Sequence, residues 1–100
     1  MKMYIVLKSG IDNGIAINSA AHASLMCYLK FKDSPDMQEW LATSFKKVAC
    51  VASDEEFEQL KKLENSITVT ESRLNNAEVG VVLAPRAEWP AIVKKLKLFR

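Results

Sequence analysis

The chain alternates short unbroken apolar runs with longer stretches of helical period. Met3 to Leu7 reads Met-Tyr-Ile-Val-Leu and is bounded by Ser9-Gly10 and Asn13-Gly14. An apolar run of that length closed by turn residues predicts a strand buried on both faces. From Ile15 to Phe31 there is no Gly or Pro, and Ala16, Ala20, Ala23 and Cys27 recur at helical spacing. That predicts a helix of about 16 residues with a stripe of small side chains against a sheet, widened by Leu25, Tyr28 and Leu29. Asp33-Ser34-Pro35-Asp36 is a turn, and Met37, Trp40, Leu41 and Phe45 share one face of a short helix capped by Asp36. Lys46 to Ala52 is a second buried strand. Ser53 with Glu56 makes a capping box, opening a helix that carries Phe57 and Leu60 and ends near Glu64. Ile67 to Glu71 alternates with β-branched residues, a strand nearer an edge. Asn75-Asn76 is a turn, and Val79 to Leu83 is a fourth strand closed by Pro85. A last helix starts around Ala87, holds Pro90 in its first turn and buries Trp89, Ile92, Leu96 and Phe99.

The order is β-α-(α)-β-α-β-β-α. The expected fold class is α/β, a three-layer α/β/α arrangement with a four-stranded mixed, mostly parallel sheet and right-handed crossovers. The short link between the third and fourth strands makes at least one neighbour antiparallel. With no repeat, low-complexity tract or linker, residues 1–100 read as a single domain.

Composition narrows the class further. Of 100 residues, 49% are apolar and 26% charged, which excludes a disordered tail, a collagen-like chain and a disulfide scaffold. No apolar stretch approaches the roughly 20 residues that span a bilayer, and the opening run is too short for a signal peptide. A soluble cytoplasmic protein is expected. The net charge of +2 and pI of about 8.6 are mildly basic. Lys46, Lys47, Lys94 and Lys95 would form an RNA-binding face if folding gathered them; otherwise they serve solubility. The single histidine and two cysteines have no metal-ligand spacing, so neither zinc nor another cofactor is expected. Cys27 lies about 140° around the helix from His22, so the two do not pair. The Gly-x-Ser-x-Gly, Walker A and Gly-x-Gly-x-x-Gly patterns are absent.

Four features resemble the type II peptidyl-tRNA hydrolase superfamily over nearly the whole chain. They are Ile5-Val6-Leu7-Lys8, the Ala21-His22-Ala23 helix core, Lys46-Lys47-Val48 leading to Ser53-Asp54-Glu55-Glu56, and Val81-Val82-Leu83-Ala84-Pro85 before a helix ending Leu96-Lys97-Leu98. Within it, Gly14-Ile15-Ala16-Ile17-Asn18-Ser19-Ala20-Ala21-His22 is more similar to a family of unknown function. The resemblance implies the fold. The hydrolases have a lysine where this chain has Ile15, a glutamine at Ser19, and a catalytic aspartate in an Asp-Ala-Gly-x-Thr segment. Here that segment is replaced by the shorter Glu71-Ser72-Arg73-Leu74-Asn75-Asn76.

Candidate chemistry gathers at the start of the long helix. Asn18 and His22 are four apart and share a helix face. Ligands in open α/β sheets sit at strand carboxyl ends beside helix N-termini. Lys8, Asp12, Asn18 and Ser19 are therefore the candidate ligand contacts, and His22 the candidate base. The bland alternative has Asn18 bonding local backbone and His22 packed between helix and sheet. Three functions follow: a non-hydrolytic domain binding a phosphate or carboxylate, a peptidyl-tRNA hydrolase with altered residues, and an RNA-binding module. The helix bearing Met37 and Trp40, with Phe45, either covers the core or mates with a second copy in a homodimer.

Overall fold

The computed structural model describes residues 1–100. Strand β1 (Lys2–Lys8) is central to the sheet, and the chain leaves it through α1 (Asn13–Phe31) and α2 (Pro35–Ala42) before returning in β2 (Lys46–Ala52). It continues through α3 (Asp54–Leu60), β3 (Ser66–Glu71), a 3₁₀ turn (Ser72–Leu74), β4 (Ala77–Arg86), α4 (Ala91–Lys94) and β5 (Lys97–Leu98). The strand order is β3-β4-β1-β2-β5.

The α/β class and the three layers agree with the sequence reading, but the sheet has five strands, and only β1 and β2 run parallel. β1–β4, β3–β4 and β2–β5 are antiparallel. The helical crossover of α1 and α2 supplies the long connection that a parallel pair needs, and β1 and β2 are that pair. The β3–β4 hairpin then folds β4 back into the slot beside β1, which makes the expected mostly parallel sheet mostly antiparallel.

Side chains of β1 alternate between two cores. Met3 and Ile5 join Ala23, Cys27, Met37 and Trp40 under α1 and α2. Val6 joins Cys50, Phe57, Leu60, Val81 and Val93 under α3 and α4. The expected stripe of α1 holds at Ala16, Ala23 and Cys27, while Ser19 is buried in place of Ala20, which is only half-buried. α1 starts two residues before Ile15, because the Asp12 carboxylate accepts from the Gly14 and Ile15 amides and caps it. α2 is capped by Ser34, not Asp36; the Ser34 hydroxyl accepts from the Met37 amide at 3.1 Å, and Pro35 occupies the first turn. The Ser53–Glu56 capping box forms as expected, although α3 closes at Leu60.

Two further expectations are corrected at the C-terminal end. Pro85 lies inside β4, where the register against β1 shifts between Lys2 and Tyr4. Such an irregularity tolerates a residue without an amide donor. The last helix is only Ala91–Lys94, with Pro90 as its uncapped N-terminal neighbour. Beyond it the chain extends, and the Phe99 amide donates to the Ala49 carbonyl at 2.9 Å. The open edge of β2 offers backbone partners that outweigh the helical period of Leu96 and Phe99.

Candidate functional site

A cleft of about 430 Å³ opens between α1 and the β3–β4 turn. One wall is the exposed face of α1, with Asn18, His22 and Met26 spaced four apart. The other is the end of β3 and the turn after it, with Glu71, Arg73 and Asn76. Met26 is the only apolar residue in the lining. β1 and β3 run in the same direction, each antiparallel to β4, so the cleft lies at their carboxyl ends.

The turn is built around Glu71. Its side chain is almost sealed at 6% exposure and accepts from the Arg73 side chain (Nε, 2.7 Å) and the Arg73 amide (3.2 Å). Asn75 and Asn76 both take left-handed backbone, at φ 55° and 60°. Asparagine tolerates this conformation better than most residues, and it lets the Asn76 amide return to the Glu71 carbonyl at 3.0 Å. The Arg73 guanidinium beside it, then the Arg73 amide, hold the Glu71 carboxyl below its usual pKa. The Arg73 side chain remains 55% exposed and lines the cleft.

The expected site residues do not all meet. Asn18 and His22 do, and His22 is exposed in the cleft wall. The packing of His22 between helix and sheet is not found. Lys8 lies on the opposite face of the sheet, 3.5 Å from Asp54 and over the Phe57 ring. Strand alternation explains this correction: Lys8 follows Val6 in pointing toward α3. Asp12 is engaged as the cap of α1. Ser19 points into the core, fully buried, with no partner for its hydroxyl. The charged residues that do face His22, Glu71 and Arg73, were missed as contributors. The available signal was an acid at a buried strand position followed two residues later by arginine.

Ile15, at the position where the hydrolases carry lysine, packs against the α1-side core. Cys27 and Cys50 are free and buried, and neither lines the cleft. Burial pushes the Cys27 thiol up to about 12, so neither cysteine has the character of a nucleophile. No group of three or more His, Cys, Asp or Glu residues is placed to hold a metal ion.

The architecture defines a three-layer α/β/α protein with a polar cleft at the carboxyl ends of β1 and β3. The chain belongs to the peptidyl-tRNA hydrolase PTH2 family, whose model matches residues 1–99. That bears out the superfamily resemblance read from Ile5–Lys8, Ala21–Ala23 and Val81–Pro85. No individual curated protein matches the chain. No helix is long and apolar enough to cross a membrane.

Proposed function

We propose that this member of the peptidyl-tRNA hydrolase PTH2 family binds an anionic ligand in the His22 cleft without hydrolysing an ester. The observation that carries the reading is the replacement of the charges the reaction would use. Ile15 contributes an apolar side chain to the core at the lysine position. Glu71, the carboxylate in the cleft lining, is occupied by Arg73, and its lowered proton affinity makes it a weak base. What remains is a set of donors. Arg73 offers its terminal nitrogens, and Asn18 and Asn76 offer amides beside His22. Such a set suits a phosphate or carboxylate. The buried free cysteines fit a reducing, cytoplasmic setting.

The second reading is ester hydrolysis with a diverged site, favoured by the exposed imidazole in the cleft. His22 would take a proton from water as its oxygen attacks the ester carbonyl carbon. Arg73 would donate to the oxyanion. Collapse would break the bond to the ribose oxygen, which recovers the proton from His22.

Because His22 is the sole histidine, its ring protons give one resolved NMR signal for each position. Titration with inorganic phosphate should shift them saturably, and Arg73→Ala should abolish the shift. Incubation with N-acetylaminoacyl-tRNA should release no amino acid. Turnover that is lost in His22→Ala would establish the second reading over the first. Unmoved ring signals without turnover would remove both.

A further inference from the structure

The other end of the sheet carries a second feature. Register places Arg86 of β4 opposite Lys2 of β1, and Lys2 opposite Lys46 of β2. Three cations therefore stand in a row across adjacent strands, with neighbours roughly 5 Å apart. Like charges directly opposite one another destabilise a sheet. No acid of this chain offsets them: none of the three takes part in an ion pair. A pocket of about 300 Å³ adjoins the row, and Lys94 of α4 adds a further cation to it. Its lining contains no carboxylate.

Aromatic rings are set into this charge. Trp89 meets Tyr4 edge-on at 4.7 Å and 71°. The Arg86 guanidinium lies 5.4 Å over the Trp89 ring, and its Nε donates to the Glu88 carbonyl at 2.9 Å. Arg86 is thus held beside the indole by two independent contacts, one through its Nε and one through the ring. Aromatic rings and a guanidinium side by side suit nucleobases, and the flanking lysines suit phosphates. Lys47, the neighbour of Lys46, takes no part. It faces the other side of the sheet, its Nζ 3.4 Å from the Phe45 ring centroid.

We propose that the Arg86–Lys2–Lys46 row, with Lys94 and the Trp89 platform, binds single-stranded nucleic acid by combined phosphate and base contacts. The row sits at the start of β1 and the end of β4, whereas the His22 cleft lies at the end of β1. The inference does not rest on the function proposed for that cleft.

The test uses a fluorescein-labelled ten-nucleotide oligouridylate and the full chain, with anisotropy as the readout. Three phosphate contacts on a single strand give a log–log salt slope of about −2, a roughly twentyfold loss of affinity from 50 to 200 mM salt. Arg86→Gln and Lys2→Thr should each weaken binding severalfold and flatten the slope by about 0.7. Lys32→Ser, the same loss of charge beyond α1, should change affinity less than twofold. Unlabelled oligouridylate should quench tryptophan emission through Trp89, since Trp40 is buried under α2 on the other face. Lys2→Thr should also raise Tm, because it relieves the repulsion in the row. No binding at 50 mM salt would overturn the proposal. So would variants indistinguishable from Lys32→Ser, or binding displaced by heparin with tryptophan emission unchanged.

Discussion

Arg73 reaches back two residues to place its Nε 2.7 Å from the Glu71 carboxylate, while its own amide donates to the same oxygen. One acid thus closes the hairpin turn and orients the cation of the cleft. The pairing holds the Glu71 carboxyl below its usual 4.5. A carboxyl depressed by folding contributes stability above its unfolded pKa, and that contribution is lost as pH falls through the folded value. Thermal melts at pH 7 and pH 3 should therefore differ less in Arg73→Ala than in the parent. The variant should also melt lower at pH 7. An unchanged pH 7 to pH 3 difference would show that the pair does not stabilise the fold.

Gly80 should not accept a side chain. A Cβ there would lie 2.6 Å from the Val6 carbonyl and 3.0 Å from a Leu7 methyl. The first contact is with backbone in the central strand, which cannot swing aside. Gly80→Ala should cost about 1–3 kcal/mol, measured as a lower urea midpoint by circular dichroism.

Trp40 packs against β-sheet residues with 2% exposure and donates its indole N–H to the Lys46 carbonyl at 2.8 Å. Trp40→Phe keeps part of the packing and loses the donor, for an expected cost of about 1–3 kcal/mol. Trp40→Ala should cost about 3–5 kcal/mol. Equilibrium urea unfolding with an unchanged slope checks both.

The cysteines make a kinetic prediction. Cys27 is fully buried and its thiol is pushed up to about 12; Cys50 is 2% exposed and shifted upward by burial. Neither should react with an aromatic disulfide reagent at pH 8 until the protein opens, and both should react at once in denaturant. Cys27 titrating within seconds in native buffer would contradict the packing of α1 on the sheet, and Cys50 doing so would contradict that of α3 and α4.

Periodicity made β1, α1 and α3 readable, because their apolar spacing and caps are local. The Ser53–Glu56 box and the Ala16–Cys27 stripe needed no tertiary information. Strand direction was harder. Nothing near Val79 announces that β4 inserts beside β1, since that depends on pairing between residues some 75 positions apart in the chain. The helical period of Trp89 to Phe99 misled for a related reason: the free edge of β2 captures the segment at Phe99. Asn18 and His22 were legible as one helix face. Lys8 was misplaced because a strand's end tells which residues are near, while its pleat decides which face each one serves. Glu71 and Arg73 became visible only once the turn was folded.

The place of β1 between β2 and β4 also dictates an order of events during synthesis. The first strand made is flanked on one side by residues 77–86, so its Met-Tyr-Ile-Val-Leu run waits with an unpaired edge until most of the chain has emerged. Such delayed, long-range pairing slows folding and exposes a sticky segment meanwhile. Nascent chains halted before Ala77 should accordingly be captured by chaperones or precipitate, and chains released beyond Arg86 should fold.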